Sequence, residues 1–190
     1  MYRYLIFLLT IAAVICCGAE QFNEGFERCK ADKRGIPQPV GWNLDRISKN
    51  ATVRLARESG CAKNGIFGLL AETDVGGLIY FRTLSSFNVS PGDDIDMKVF
   101  ARGSGRCRFL YYTYGTDDPQ KQVFLGTSGL GKPHSVKETE WELCSAKGKF
   151  TVPHKHKGKF TKFALRPVLF VYGDSEITFD DFSLSISRNK

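Results

Sequence analysis

The stretch Ser90-Pro91-Gly92-Asp93-Asp94-Ile95-Asp96-Met97-Lys98-Val99-Phe100-Ala101-Arg102 decides the fold class. Its first four residues spell a turn, because Pro presets the second position and Gly accepts the positive φ of the third. Ile95, Met97, Val99 and Ala101 then alternate with Asp94, Asp96, Lys98 and Arg102. A period of two marks a strand with one buried face. Upstream, Ile79, Phe81, Thr83, Phe87 and Val89 keep the same period, which predicts a hairpin across the turn. Downstream, Gly103-Ser104-Gly105 predicts a second turn, followed by a strand from Arg106 to Tyr114. Cys107, Phe109 and Tyr111 take one side of that strand and Leu110, Tyr112 and Tyr114 the other. Both sides are apolar or aromatic, so the outward one must be covered or must bind something.

Short β-type runs separated by Gly, Pro, Asn and Asp continue along the chain, with almost no helical periodicity. Asp117 to Glu140 reads as a long excursion with one small strand at Val123-Phe124-Leu125. Strands are expected again at Trp141 to Ser145, at Lys149 to Val152 and from Phe160 to Tyr172. In the closing run, apolar residues stand at 177 and 179 and then at 182, 184 and 186. The alternation changes phase at Asp180-Asp181, which predicts a bulge there. Evenly spaced short strands with turn signals predict an all-β fold, an antiparallel sandwich or barrel.

The first 19 residues stand apart. Arg3 precedes an apolar run from Leu5 to Cys17, broken only by Thr10, and small residues follow at Gly18 and Ala19. This is the pattern of a secretory signal, and the run is short for a membrane span. We therefore expect a signal peptide at 1–19, one domain at 20–190, and a secreted protein, extracellular or periplasmic. Of the six cysteines, Cys16 and Cys17 belong to the signal. Cys29, Cys61, Cys107 and Cys144 would meet an oxidising compartment, where four cysteines allow three pairings. Their spacings lack the close pairs that zinc requires.

Lys and Arg number 27 against 20 Asp and Glu, a net charge of +7. Export takes the chain away from nucleic acid, and the lysines are spread over the second half, so acidic polysaccharide or an anionic surface fits the charge better. No nucleic acid, no membrane insertion and a monomeric state are expected. His154 and His156 sit among Lys155, Lys157 and Lys159 and read as a basic solvated turn.

Several of these residues together resemble the galactose-binding-like β-jelly-roll modules, above all the carbohydrate-binding modules found beside cellulases and xylanases. They are Phe26-Glu27, Pro39-x-x-Trp42, Gly65 before an apolar strand, Val89-x-Pro91-Gly92 before Ile95, Trp141 before Phe150-x-Val152-Pro153, and Phe179-Asp180-Asp181-Phe182-Ser183-Leu184. The resemblance runs from about Phe22 to Ser187. It implies a sandwich of two antiparallel sheets, a polysaccharide ligand, and a structural calcium tying the N-terminal segment to the last strand. On this chain the matching carboxylates are Glu27, Asp180 and Asp181, with carbonyls from the loop around Lys63 and Asn64. The same acidic pair read without the resemblance shapes a bulge and needs no metal. With that fold, the pairing expected is Cys29 with Cys61 and Cys107 with Cys144.

Sugar binding needs flat aromatic faces against pyranose C–H groups and planar polar groups for hydroxyls. The candidates are Tyr80 and Arg82, opposite Phe81, and Tyr112 and Tyr114, opposite Tyr111, with Trp141. For Trp42 and Trp141 burial in the core competes with that role. A non-catalytic binding module is the reading preferred. The alternatives are a polysaccharide lyase using Tyr112, Arg82 and His134, a glycosidase drawing on acids among Asp117, Asp118, Glu138, Glu140 and Glu142, and an adhesion module.

Overall fold

The computed structural model of the chain describes residues 20–31, 37–58, 60–117, 121–137 and 139–189. The expected signal at 1–19 lies outside them, as do Asp118 and Glu138. Twelve strands are found among the described residues: β1 (Glu20–Glu24), β2 (Cys29–Ala31), β3 (Pro37–Pro39), β4 (Trp42–Ile47), β5 (Ala51–Ala56), β6 (Gly68–Thr73), β7 (Leu78–Thr83), β8 (Phe87–Val89), β9 (Asp94–Thr116), β10 (Val123–Val136), β11 (Glu142–Lys149) and β12 (Lys162–Ser187). A single 3-10 turn, His154–His156, is the other regular element, and it is the basic exposed turn the lysines implied.

The fold is an antiparallel β-sandwich built on one long ribbon. β9 and β12 pair antiparallel along their whole length, from Lys162 opposite Thr116 to Ser187 opposite Asp94. The half containing Arg106 to Thr116 carries β10 on one side and β8, β7 and β4 beyond β12 on the other. The half containing Asp94 to Ala101 carries β11 on one side and β1, β6 and β5 beyond β12. The halves face each other: Phe22 of β1 meets Phe87 of β8 edge-on at 5.3 Å, and Trp42 of β4 meets Phe182 of β12 at 5.1 Å. Between them lies one continuous core, in which Phe26, Phe109, Phe150, Phe179 and Phe182 are fully buried. Each such side chain contributes about 1.5–3 kcal/mol relative to exposure.

The deciding stretch behaves as its period requires. Ile95, Met97, Val99 and Ala101 are fully buried. In the turn, the amide of Asp93 donates to the Ser90 carbonyl at 3.0 Å and Gly92 has φ +93°. The predicted bulge is present: the register against β9 slips between Asp180 and Ser183, and Asp181 takes φ +49°.

Five expectations are corrected. The turn at 90–93 does not close a hairpin, because β8 pairs with β12, so the turn carries the chain from one sheet to the other. Alternation in sequence reports a buried face and is silent about the partner strand. Gly103-Ser104-Gly105 does not reverse the chain either. It bends the ribbon, opposite a register slip between Tyr172 and Glu176. A Cβ on Gly103, at φ +123°, would sit 2.2 Å from the Glu176 carbonyl oxygen, so only glycine fits the bend. Finally, the excursion at 117–140 holds the 14-residue strand β10. Slips after Phe124 and Leu130 break its alternation and hide it from a periodicity reading. Likewise 160–172 and 177–186 are one strand, β12, and β11 runs Glu142–Lys149 in place of two shorter strands.

Candidate functional site

Paired residues of antiparallel strands point to the same side of a sheet, so the register maps the outer face of the sheet containing β4, β7, β8 and β10. Across β7, β12 and β9 its successive rows read Leu78, Tyr172, Arg106; then Tyr80, Phe170, Arg108; then Arg82, Val168, Leu110. Arg166 beside Tyr112 and Ala164 beside Tyr114 complete it, with Phe124 of β10 beyond Tyr114. Four residues expected from sequence, Tyr80, Arg82, Tyr112 and Tyr114, therefore share one face. Phe124, Arg166, Phe170 and Tyr172 join them. Phe124 lay in the segment read as an excursion, and Phe170 and Tyr172 in a strand whose partner was unknown.

The rings are ordered by one another. Phe170 packs on Tyr172 at 4.9 Å with 15° between planes, and on Tyr80 at 4.5 Å. Phe124 meets Tyr112 and Tyr114 edge-on at 5.4 and 5.7 Å and is 52% exposed. Val168 and Leu110 form a buried floor in the middle. Arg82 clasps Asp45 with two parallel bonds, Nε to Oδ2 at 2.8 Å and Nη2 to Oδ1 at 2.9 Å. Burial works to raise the Asp45 carboxyl, but the bonds and charge of Arg82, helped by Asn43 and Tyr112, hold it below the usual carboxylate range. Burial and the neighbouring Asp45 push the Tyr112 phenol up to about 12, so it stays a neutral donor at physiological pH. Rigid rings, a neutral phenol and a planar guanidinium are the groups that sugar recognition uses.

Other expected residues lie elsewhere. Trp141 precedes β11, on the other sheet, and is half-buried. Trp42 is buried and stacks on Phe81 at 4.9 Å. His134 is paired with Cys107 and packs edge-on against Phe109, which is fully buried, so Tyr112, Arg82 and His134 do not form one constellation. Glu142 is half-buried with its Oε1 enclosed and unpartnered, and the Asp117 carboxylate accepts from the amide and hydroxyl of Thr161.

Glu27, Asp180 and Asp181 do converge on one corner. Asp180, fully buried, accepts the amides of Lys63 and Asn64 on Oδ2 at 2.8 and 2.9 Å and that of Asp181 on Oδ1 at 2.8 Å. Burial raises its carboxyl, against the lowering effect of those amides. Glu27 Oε1 accepts the amides of Ile66 and Phe67, while Asn64 Nδ2 donates to Asp181 and the Lys63 ammonium stands 3.6 Å from it. Calcium requires oxygen ligands. Here the loop at 63–67 turns N–H groups to the carboxylates, and among the described residues no three His, Cys, Asp or Glu side chains group to hold a metal. As arranged, the donor set fits a hydrogen-bonded clasp and does not fit a hard cation.

The four cysteines carry free thiols, so neither expected disulfide is formed. Cys107 and Cys144 are nonetheless buried neighbours, and interaction with Cys144 together with burial pushes the Cys107 thiol up. Cys29 is exposed and Cys61 half-buried, the latter raised by burial and by Glu58.

No protein-family model and no curated protein matches the chain. Solved structures do. The CBM22-1 xylan-binding domain from Paenibacillus barcinonensis Xyn10C is 11% identical over 89% of this chain and 95% of that one, with a TM-score of 0.50. The CBM22-1-CBM22-2 tandem domain of the same protein is 11% identical over 93% of this chain, with a TM-score of 0.52. The CBM22-1-GH10 modules of Clostridium thermocellum endo-1,4-beta-D-xylanase 10B, complexed with xylohexaose, are 16% identical over 86% of this chain, with a TM-score of 0.53. This chain spans 48% of the tandem and 28% of the xylanase modules. It has the antiparallel β-sandwich fold of the family 22 carbohydrate-binding modules, which fall within the broader group of modules found beside cellulases and xylanases that its sequence motifs resemble.

Proposed function

We propose that the protein is a secreted, monomeric, non-catalytic module that binds a polysaccharide on the face bearing Tyr80, Arg82, Tyr112 and Tyr114. The carrying observation is that these residues, picked from separate strands, lie on one side of one sheet and bring Phe124, Phe170 and Tyr172 with them. Binding suits this face better than catalysis. A lyase needs a basic group beside the substrate, and Tyr112 is held protonated while His134 lies against the core. The ligands of the matched structures, xylan and xylohexaose, are the first to try. The corner at Asp180 is proposed to hold without calcium, on the strength of its five amide donors.

Affinity electrophoresis of the purified protein through gels containing xylan, glucomannan or an acidic polysaccharide tests the reading. Retardation in at least one, relieved by soluble oligosaccharide, is expected. Unretarded migration in all of them would sink it.

A further inference from the structure

Among the described residues the aromatic face gathers four arginines, of which one is matched by an acid. Arg82 has Asp45 as its own counter-ion, 2.8 Å away. For Arg106, Arg108 and Arg166, no carboxylate lies within ion-pair distance among the described residues. Each is held by a neutral group instead. Arg166 donates from Nε to Ser86 Oγ at 2.9 Å and from Nη2 to Gln122 at 3.3 Å, with its guanidinium 4.8 Å over the Tyr114 ring. Arg106 lies 5.1 Å over Tyr172. Arg108 reaches the Gly131 carbonyl at 3.4 Å, and its Nε is enclosed without a partner. On the opposite sheet three lysines are matched: Lys98 and Lys147 meet Asp96, and Lys149 meets Asp94, while Arg102 donates to the Gly60 carbonyl.

Arg106, stacked on Tyr172, has its orientation fixed and no carboxylate partner, the arrangement that receives a carboxylate or sulfate through two bonds, while Arg166 spends Nε and Nη2 on Ser86 and Gln122 and offers its charge and Nη1. Gathering three unpaired cations on one face also costs self-repulsion, which an anionic ligand removes. Their spacing narrows the ligand further. Arg106 and Arg108 are two residues apart on β9, about 7 Å, and the Arg166–Tyr112 row lies about 20 Å from Arg106 along the strand. One charged substituent engages one of these positions; a chain with repeating anionic groups engages them together.

We propose that the ligand of this face is a polyanionic polysaccharide, carrying uronate carboxylates or sulfate esters. Its rings lie on Tyr112, Tyr114, Phe170 and Tyr172, and its anionic groups on Arg106, Arg108 and Arg166. This rests on the polysaccharide reading above and names the class of polymer.

Affinity for polygalacturonate, heparin and neutral xylan, measured by calorimetry at low salt, tests it. The better of the two polyanions is expected to bind at least about tenfold more tightly than xylan, as charge-assisted bonds allow. The advantage should collapse near 1 M salt, where the Debye length is about 3 Å. Which polyanion leads tells carboxylate from sulfate. Arg106→Gln/Arg108→Gln/Arg166→Gln should lose the advantage, with affinity for the polyanion falling far more than affinity for xylan. Arg166→Gln alone carries the test should the triple variant not fold. Lys155→Gln/Lys157→Gln/Lys159→Gln, in the exposed basic turn and its flank, should change nothing. Equal affinity for xylan and the polyanions, or a loss that follows the lysines, overturns the inference and leaves polysaccharide binding standing. No binding to any of the three overturns both.

Discussion

The two outer faces of the sandwich are built on the same ribbon and differ in almost every exposed side chain. Where β9 runs from Arg106 to Tyr114, its outward residues and those of β12 are Arg, Tyr, Phe, Leu, Val and Ala. Where it runs from Asp94 to Lys98, the rows across β1, β12, β9 and β11 read Gln21, Ser185, Asp96, Lys147 and then Asn23, Ser183, Lys98, Ser145, before one apolar row, Phe100 beside the exposed Leu143. The polar rows are what water solvates: short polar groups and lysines matched with acids. The first face keeps rings half-exposed and cations unmatched, a surface whose cost a free protein bears and a ligand relieves. The difference teaches that fold class and function are written in different positions of the same strands, inward residues for the first and outward for the second.

The sharpest way to break this comparison is to remove rings from one face and side chains from the other. Tyr112→Ala/Tyr114→Ala should lower polysaccharide affinity on the order of a thousandfold, since each ring is a candidate hot spot worth about 2 kcal/mol. Lys98→Ala/Ser183→Ala, on the polar face, should leave affinity within about twofold. Affinity electrophoresis with unfolding midpoints as the folding control measures both. Equal losses would show that the faces are not functionally distinct.

The inward half of this pattern was legible in the sequence and the outward half only partly. Ile95 to Ala101 declared their buried face by period alone, and the phase change at Asp180-Asp181 located the bulge. Tyr112 and Tyr114 were visible because their strand was apolar on both sides. Phe124 was not, because the glycines and register slips of β10 erase its alternation, and Phe170 was not, because which strand sits beside β12 is a long-range fact. The corner at Asp180 shows another limit. The family resemblance implied that Glu27, Asp180 and Asp181 come together, yet whether the loop at 63–67 turns carbonyls or amides towards them depends on backbone orientation that no spacing records.

That corner supplies the next largest effect, on the polar side of the molecule. Asp180→Asn keeps the shape but puts a donor where an amide donor already points, so one or more buried N–H groups lose their acceptor. A loss of about 2 kcal/mol in urea unfolding is expected, with sugar binding unchanged. A chelator should leave the wild-type unfolding midpoint where it was. A chelator-induced drop would replace the hydrogen-bonded clasp with a metal site.

The smallest effect concerns the one arginine of the aromatic face that has a counter-ion. Asp45 and Arg82 are largely enclosed, their side chains 21% and 13% exposed, and joined by two bonds. Asp45→Asn should cost about 1 kcal/mol near neutral pH, towards the upper end for a partly solvated pair. Because the folded carboxyl titrates below its unfolded value near 4, the stabilisation is complete above that value and fades as the pH falls through the folded one. The stability difference between wild type and variant should therefore be flat from neutral pH down to about 4 and shrink below it. A difference that widens on acidification would contradict the pairing. The same variant also leaves Arg82 uncompensated, adding a fourth free guanidinium to the face. Its affinity for a polyanion should rise severalfold and its salt dependence steepen, while affinity for neutral xylan stays level or falls. One substitution thus weakens the fold slightly and strengthens the anionic ligand, a divergence that a purely structural ion pair would not produce.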